Sequence, residues 1–333
     1  MKPLSFWQNP PDAPGIGARL LSPLGALYGA ATARRVSRDA IFRPPIPVIC
    51  VGNLNAGGTG KTPTVLALIQ HLQARGLRPG VISRGHGGQL PGPVEVKERE
   101  HRAADTGDEP LLISAFARTW IGRDRAAAAR AACAADIDIL LMDDGHQNPD
   151  VAKDVSVTVV DAARGFGNGL CLPAGPLREP VATGLARSHM LISIGEDRAQ
   201  DSFSVRWGRY VRIPHVKARL LALQTGMDWQ GARVLAFAGI GYPEKFFDTL
   251  RSLGADVLQT VPLDDHQPLT PALLHRLQAD AKRLGAQLVT TEKDAVRMPA
   301  DVRREVLTIP VRLEVDSLEP LDALLNDAMT SSR

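Results

Sequence analysis

The 333-residue sequence is poor in cysteine and in aromatic residues, and its N-terminal part lacks a long apolar segment. The three cysteines, Cys50, Cys133 and Cys171, form no Cys-x-x-Cys pair, so neither a zinc knuckle nor a disulfide framework is predicted. The apolar stretch at residues 20–33 contains Pro23 and is shorter than the about 20 residues that a membrane-spanning helix needs. We therefore expect a protein of a reducing compartment whose N-terminal segment does not cross a membrane.

The sequence also has little net charge, +3 at pH 7, which argues against a general nucleic-acid-binding protein. The positive charge is concentrated in residues 1–47, where Lys and Arg outnumber Asp by six to two. Apolar residues recur at helical spacing in this segment: Leu20, Leu21, Leu24, Leu27 and Tyr28. An apolar helix face flanked by arginines is typical of an amphipathic helix on an anionic membrane surface. The same pattern also fits a helix that packs on the protein's own core.

The strongest motif is a Gly-rich turn that follows an apolar strand pattern and precedes a helical one. It matches the Walker A pattern G-x-x-x-x-G-K-[ST], except that Asn55 replaces the first glycine. Asparagine tolerates a left-handed backbone, so we expect the loop to close. Backbone N–H groups and the helix N-terminus would then hold the phosphates of a nucleotide. The predicted binding residues are Asn55, Ala56, Gly57, Gly58, Thr59, Gly60, Lys61 and Thr62.

Lys61 would neutralise the phosphates, and the hydroxyl of Thr62 would bind Mg²⁺. Lysine is scarce in this chain, with eight residues against 31 arginines, which makes Lys61 a rare residue in a demanding position. A P-loop also needs an acidic partner at the end of a neighbouring strand. Asp143 and Asp144 follow the apolar run at residues 139–142. One of the two is expected to approach the metal, whereas a turn with surface aspartates is the alternative.

Apolar runs and helical patterns alternate along the chain, which favours an α/β fold with a doubly wound, mainly parallel sheet. Residues 203–224 alternate between polar and apolar side chains, as antiparallel strands do. The strands of the first part are predicted at residues 48–51, 81–83, 137–142, 155–160 and 190–194, and a second β/α series at 234–290. We therefore predict an N-terminal interfacial helix segment, a P-loop NTPase-like core and a smaller C-terminal α/β lobe, at residues 1–43, 44–205 and 206–333.

Four polar side chains in two clusters are further candidates. Asp108 and Glu109 precede a predicted helix, where they could cap it or could serve as a general base and a metal ligand. Asp265 stands before His266, and a neighbouring carboxylate can tune an imidazole for acid–base work. A structural or surface histidine is the other interpretation. Residues 291–294 are interpreted as a helix N-cap, with Thr at its first position.

A Gly/Pro-rich loop at residues 164–180 is long and has no predicted secondary structure, which is typical of functional loops. Its residues Arg178 and Glu179 could contact a substrate, since arginine grips phosphate well, or could be solvated. Arg84 follows the second predicted strand, near the edge where ligands of open α/β sheets bind.

Taken in order, the motifs resemble those of the tetraacyldisaccharide 4′-kinases. They are VGN (51–53) before AGGTGKTP (56–63), SRG (83–85), GDEP (107–110), DDG-x-Q (143–147), RGFGNG (164–169), LPAGPLREP (172–180), DH (265–266) and TEKDAV (291–296). The resemblance implies transfer of the ATP γ-phosphate to the 4′-hydroxyl of tetraacyldisaccharide 1-phosphate, which gives lipid IVA in lipid A biosynthesis. It also implies Mg²⁺ as a cofactor and a peripheral position on the cytoplasmic face of the bacterial inner membrane.

The resemblance further implies roles for the candidate residues. Asp108 would be the base, His266 would orient it, and Lys61 would stabilise the transferred group. Glu109 and Asp144 would hold Mg²⁺ together with Thr62. Glu179 would lie near the acceptor, and Arg84, Asp143 and Arg178 are further candidates for contact with the substrate. The chain departs from the family's usual residues at His86, His146 and Gln267, which line or flank the same motifs.

Two other classes of protein also fit a P-loop. A regulatory or metallochaperone NTPase would hydrolyse nucleotide without an acceptor, but its metal-binding Cys/His pair is missing here. A soluble small-molecule kinase would use the N-terminal helix only as a structural element. Binding to membrane vesicles separates the second class from a kinase of lipids.

Overall fold

The computed structural model describes residues 4–223, 226–265 and 267–331, which form two β-sheets flanked by helices. Its strands are β1 (Val48–Gly52), β2 (Pro79–Ser83), β3 (Val94–Val96), β4 (Arg118–Ile121), β5 (Ile139–Asp143), β6 (Val155–Asp161), β7 (Met190–Ile194), β8 (His215–Ala222), β9 (Arg233–Ala238), β10 (Asp256–Pro262), β11 (Gln287–Thr291), β12 (Leu307–Ile309) and β13 (Val311–Val315). Its helices are α1 (Ile16–Val36), α2 (Lys61–Ala74), α3 (Ala103–Thr106), α4 (Asp108–Ser114), α5 (Arg125–Cys133), α6 (Val181–Ala186), α7 (Asp197–Trp207), α8 (Pro243–Ser252), α9 (Pro271–Leu284), α10 (Glu292–Ala295), α11 (Ala300–Arg303) and α12 (Glu319–Ser331).

The larger sheet has nine strands in the order β13-β8-β7-β6-β1-β5-β2-β4-β3. Its interior strands are parallel, and only the edge strands β3 and β13 pair antiparallel with their neighbours. The P-loop strand β1 lies between β5 and β6, and Val51 pairs in register with Asp143. Each residue of β1, β5 and β6 is buried, which fits their nearly continuous apolar sequences because helices cover both faces of a parallel sheet.

The smaller sheet has four parallel strands in the order β10-β9-β11-β12. Helix α8 packs on one face through Phe246, Phe247 and Leu250, and helix α9 packs on the other through Leu274 and Leu277. We call this sheet with its helices the small lobe, and the nine-stranded sheet with its helices the large lobe. The expected α/β fold, with a mainly parallel sheet and a second, smaller α/β part, is confirmed.

The two lobes do not divide at residue 205 as the sequence suggested. Strand β8 follows that position but joins the large sheet beside β7, and β13 returns to pair with β8. The small sheet therefore occupies the chain between these two strands. The described residues 203–223 contain one strand rather than several, and β4 lies where no strand was expected. The position of β8 could not be predicted because pairing between distant strands is not visible in local patterns.

Helix α1 packs on the large lobe through small residues and exposes its large ones. Ala18, Gly25 and Gly29 face inward, and a Cβ atom at Gly25 would lie 2.7 Å from the carbonyl oxygen of Cys171. The exposed apolar residues follow helical spacing: Ile16, Leu20, Leu24 and Leu27. One face of this helix therefore packs on the protein, and the other presents leucines to the outside. No helix within the described ranges is long and apolar enough to cross a membrane.

Candidate active site

The P-loop lies at the carboxyl edge of the large sheet, between β1 and α2. Gly60 precedes α2 with a φ of 93°, in the left-handed region that favours glycine. A Cβ atom at Gly60 would also collide with the side chain of Ile194 on β7. The buried amide of Asn53 donates to the hydroxyl oxygen of Thr59 at 2.9 Å and to the carbonyl oxygen of Gly57 at 3.2 Å. One glycine and one amide side chain therefore shape the loop from inside.

Asn55 does not use the left-handed backbone that the sequence suggested. Its backbone pairs with Leu177 in an isolated antiparallel bridge, and its side-chain nitrogen donates to the carbonyl oxygen of Gly165 at 3.1 Å. The next residue, Ala56, donates its N–H to the carbonyl oxygen of Pro176 at 2.7 Å. The asparagine thus ties the P-loop to the Gly/Pro-rich loop, a contact that a glycine could not make with its side chain.

Strand β5 delivers two adjacent carboxylates beside Lys61. Asp143 is buried, its Oδ2 accepts a hydrogen bond from the hydroxyl of Ser83 at 3.0 Å, and its Oδ1 has no hydrogen-bond partner among the described residues. Asp144 has a φ of 50° and turns its Oδ1 toward two cations, the Nζ of Lys61 at 3.6 Å and the Nη1 of Arg178 at 2.9 Å. The pair therefore has the position expected of the acidic partner of a P-loop.

The environment shifts the pKa values of these two carboxyls in opposite directions. Burial raises the pKa of Asp143, and the negative charges of Glu109 and Asp144 raise it further. Burial would also raise the pKa of Asp144, but the positive charges of Lys61 and Arg178 outweigh it and lower this pKa to about 2. Negative charge accumulates around Asp143, while Asp144 is an anion held by cations.

The acidic side chains fit a divalent cation. A cation would neutralise the charge around the buried, unpartnered Oδ1 of Asp143, and Glu109, Asp144 and the hydroxyl of Thr62 supply further oxygen atoms. In the described part of the chain, no three His, Cys, Asp or Glu side chains form a metal site by themselves. Mg²⁺ commonly binds through one or two carboxylates together with substrate phosphates. The oxygen donors present are therefore of the type that Mg²⁺ selects.

Two side chains of the Gly/Pro-rich loop, Arg178 and Glu179, contact protein groups around the site. Arg178 reaches Asp144 and also donates to the side-chain oxygen of Gln147 at 3.3 Å. Glu179 is 1% exposed, and its two carboxylate oxygens accept from Gln147 at 2.9 Å and from Arg187 at 2.5 Å. Both carboxylate oxygens of Glu179 are therefore engaged inside the protein, and its contact with a substrate stays a prediction.

Asp108 and Glu109 open helix α4 and meet cations from the small lobe. Asp108 is buried, its Oδ1 accepts the backbone N–H of Glu109 at 3.0 Å, and its Oδ2 lies 3.9 Å from the Nε of Arg297. The Oε1 of Glu109 lies 3.1 Å from the Nζ of Lys293. Both acids lie in the first turn of α4, where their negative charges interact favourably with the helix dipole. They also face the small lobe, so the capping interpretation does not exclude a chemical role.

The remaining candidates are distributed around this centre. Arg84 follows β2 and is exposed. His266 lies outside the described residues, while its neighbour Asp265 has its Oδ1 3.5 Å from the Nζ of Lys293. His146 is buried against the carbonyl oxygen of Gly184 at 3.1 Å, so this departure from the family pattern lies in the interior. Burial lowers the pKa of His146 to about 4.

Sequence reasoning missed several charged residues that the fold brings to this site. Thr291 caps α10 as expected, accepting the N–H of Asp294 at 3.1 Å. The same turn, however, presents Lys293 and Arg297 to the acids of α4. Arg125 is buried at the start of α5 and donates to the carbonyl oxygen of Asp143 at 3.3 Å. Two signals could have drawn attention to Lys293: the scarcity of lysine and its place in the TEKDAV motif at residues 291–296.

Known proteins match the chain over nearly its full length. Residues 17–330 match the family model described as tetraacyldisaccharide-1-P 4′-kinase. The chain is 61% identical to the tetraacyldisaccharide 4′-kinase of Dinoroseobacter shibae, covering 98% of this chain and 97% of the relative. It is 54% identical to that of a Jannaschia species, with 99% of each chain covered. The crystal structure of LpxK from Aquifex aeolicus in complex with ATP is 23% identical, covers 94% of this chain and 99% of its own, and has the same fold with a TM-score of 0.71.

Proposed function

Because this chain belongs to the tetraacyldisaccharide-1-P 4′-kinase family, we propose that its P-loop edge transfers the γ-phosphoryl group of ATP to the 4′-hydroxyl of tetraacyldisaccharide 1-phosphate. The product is lipid IVA, an intermediate of lipid A biosynthesis. The observation that carries this proposal is the convergence of Lys61, the Asp143–Asp144 pair and the Asp108–Glu109 pair. Phosphoryl transfer depends on such groups, since it needs alignment and charge neutralisation more than covalent chemistry by the protein.

Lys61 and the P-loop N–H groups hold the phosphates of ATP in this proposal. The N-terminus of α2 adds the favourable end of a helix dipole. Lys61 is 12% exposed and lies 3.6 Å from Asp144, so an arriving phosphate competes with that carboxylate for the ammonium group. Arg178 keeps Asp144 neutralised when Lys61 turns to the phosphates.

Mg²⁺ would be held by Thr62, Glu109 and Asp144, and the unpartnered oxygen of Asp143 supports its inclusion in the same set. When bound, the ion supplies neutralisation of the phosphate oxygens. The hydroxyl of Ser83 donates a hydrogen bond to the second oxygen of Asp143, which fixes the orientation of this carboxylate.

Asp108 is the proposed general base. The acceptor hydroxyl gives its proton to Asp108 as its oxygen bonds to the γ-phosphorus, and the bond from that phosphorus to the bridging oxygen breaks, releasing ADP. The Nε of Arg297 lies 3.9 Å from the Oδ2 of Asp108, so a positive charge faces this carboxyl group. His266 is proposed to orient Asp108, and Arg84, exposed after β2, to contact the acceptor.

A mass-spectrometric assay tests this function. The full chain is incubated with ATP, Mg²⁺ and tetraacyldisaccharide 1-phosphate, and we expect a lipid heavier by one phosphoryl group with an equal amount of ADP. Lys61→Met serves as the inactive control because it removes the ammonium group that would neutralise the phosphates of ATP. Formation of ADP without a phosphorylated lipid would contradict the proposal and favour a regulatory NTPase.

We also propose that the exposed face of α1 contacts the cytoplasmic surface of the inner membrane. Leu20 and Leu27 are 75% and 67% exposed, and Arg19 and Arg34 lie on the same helix. Apolar side chains with nearby arginines suit an anionic lipid surface. A kinase whose acceptor is anchored in that surface would gain from being held beside it.

Serine substitution of three α1 leucines tests this contact. We expect the triple variant Leu20→Ser, Leu24→Ser and Leu27→Ser to bind phosphatidylglycerol-containing vesicles at least about 100-fold more weakly, as the loss of several buried leucines implies. Vesicle sedimentation measures the affinity. The matched control is Val205→Ser, which changes a residue that is 90% exposed on α7. Unchanged sedimentation of the triple variant would contradict membrane contact through α1.

A further inference from the structure

A single lysine of the small lobe bridges two acids that belong to different lobes. The Nζ of Lys293 lies 3.1 Å from the Oε1 of Glu109 on α4 and 3.5 Å from the Oδ1 of Asp265. Glu109 directly follows Asp108, the proposed base, and Asp265 directly precedes His266. One ammonium group therefore contacts the sequence neighbour of each member of the proposed base–histidine pair.

Hydrogen bonds and an ion pair hold the turn that carries Lys293, and this turn directs the lysine side chain toward the large lobe. Thr291 caps α10 by accepting the N–H of Asp294. Arg297 anchors the same turn within the small lobe, since its guanidinium binds Asp294 and donates to the carbonyl oxygen of Gln267 at 2.9 Å. Arg297 also lies 3.9 Å from Asp108 of the large lobe, but its hydrogen bonds are to its own lobe, whereas Lys293 makes closer contacts with acids of both lobes.

The charges near Lys293 would otherwise repel each other. Burial alone would lower the pKa of Lys293, but the negative charges of Glu109, Asp108 and Asp265 together raise it. The lysine side chain is 18% exposed, so solvent screens these charges less than at an open surface. Without a cation between them, the acids of α4 and the acid of the small lobe would favour separation of the lobes.

The choice of lysine over arginine fits a contact that must form and release. This chain uses 31 arginines and eight lysines. An arginine tends to make rigid two-point bonds with a carboxylate, while a lysine makes a compact point contact. Lys293 touches one oxygen of Glu109, which is compatible with Glu109 also serving a cation.

We propose that Lys293 is a positioning residue that holds the small lobe against α4 through its contacts with Glu109 and Asp265, and so positions that lobe beside Asp108. This proposal deepens the proposed function and rests on it for the role of Asp108 in phosphoryl transfer. The contact is made by residues of this chain alone, so it can be tested separately from the reaction.

The test measures the distance between the lobes in the full chain. Nitroxide labels are placed at Asp248→Cys on α8 and at Glu100→Cys in the large lobe, both exposed, in a Cys133→Ser background. Pulsed electron–electron double resonance measures the distance between the two labels, without nucleotide, in the parent, Lys293→Met and Lys293→Arg proteins. The control Lys282→Met removes an exposed lysine of α9 in the same lobe.

We expect Lys293→Met to lengthen and broaden the distance distribution, and Lys293→Arg and Lys282→Met to resemble the parent. In the lipid kinase assay, Lys293→Met should lower kcat about tenfold or more while the KM for ATP changes less than about twofold, since ATP still binds the large lobe. A parent-like distance distribution for Lys293→Met would overturn the proposal, as would failure of Lys293→Arg to restore it. A parent protein that leaves the lipid unphosphorylated would instead overturn the proposed function alone.

Discussion

At the scale of single residues, the site gives each carboxylate a different partner. Asp144 lies between two cations, Asp143 is held by a hydroxyl, and Asp108 faces Arg297. The burial of Asp143 and the cations beside Asp144 explain why these two adjacent carboxyls have pKa shifts of opposite direction. Sites that use acids for separate tasks commonly separate their pKa values in this way.

Replacement of Asp108 by asparagine tests the proposed base. Asparagine keeps the size of the side chain but cannot accept a proton, so we expect kcat to fall about 100-fold or more. The affinity for ATP should stay near that of the parent because Lys61 and the P-loop, which hold the phosphates in the proposal, are unchanged. The control is Asp124→Asn at the N-cap of α5, where asparagine caps as well as aspartate. An Asp108→Asn protein with parent-like kcat would contradict the assignment.

Replacement of Glu179 by alanine tests whether this residue supports the fold or contacts the acceptor. The carboxylate is 1% exposed and binds Arg187 and Gln147, so its removal leaves buried polar groups unpaired. We expect the free energy of unfolding to fall by about 2 kcal/mol, measured by urea denaturation. The KM for the lipid should change little in protein that remains folded. A raised KM with unchanged stability would restore the expected role in substrate contact.

At the scale of elements, the P-loop depends on two glycines in different ways. Gly60 has a left-handed backbone and no room for a Cβ atom, whereas nothing lies within 4 Å of a Cβ atom placed at Gly58. The first glycine therefore allows the turn to form, and the second leaves open space at the surface of the loop. That space is where a phosphate would approach the backbone.

Alanine at these two positions gives a matched pair of variants. Gly60→Ala should lower the free energy of unfolding by at least about 1–2 kcal/mol, because alanine is strained in the left-handed region and also meets Ile194. Gly58→Ala should leave the free energy of unfolding near that of the parent. Chemical denaturation of both proteins measures the difference. Equal stability of the two variants would contradict this account of the loop.

Local patterns predicted most strands and helices of this chain, and the failures are specific. The continuous apolar run of β5 and the P-loop before α2 were readable because each is one short segment. Strand β4 was missed because its four residues begin with an exposed arginine. Lys293 was missed because its partner Glu109 is 184 positions away, and no local pattern joins them.

At the scale of the whole molecule, the small lobe is inserted into the large one. The chain leaves at the end of β8 and returns at the start of β13, where Ala222 pairs with Val311. One step further, Leu223 donates its N–H to the carbonyl oxygen of Pro310 at 2.9 Å. The two connections therefore lie side by side, and rotation at this ladder would move the small lobe as a unit.

Excision of the small lobe tests its independence from the large sheet. Replacement of residues 224–309 by Asn-Gly should join β8 and β13 as a hairpin, since this dipeptide forms a tight turn. We expect a cooperative unfolding transition and retained binding of ATP, with loss of phosphoryl transfer because Lys293 and the Asp265–His266 segment are gone. Circular dichroism and nucleotide titration measure these properties. A shortened chain without cooperative unfolding would contradict the division into two lobes.

The return of the chain to the large sheet also sets an order of assembly during synthesis. Leu313 of β13 and Leu321 and Leu325 of α12 are buried in the same core cluster as Ile49 of the P-loop strand. This cluster stays incomplete until those residues leave the ribosome, whereas the strands of the small sheet, which end at Ile309, are available earlier. The small lobe can thus fold before the large lobe is complete. The nucleotide-binding large lobe completes its core only when β13 and α12, which follow the small lobe in the chain, have been synthesised.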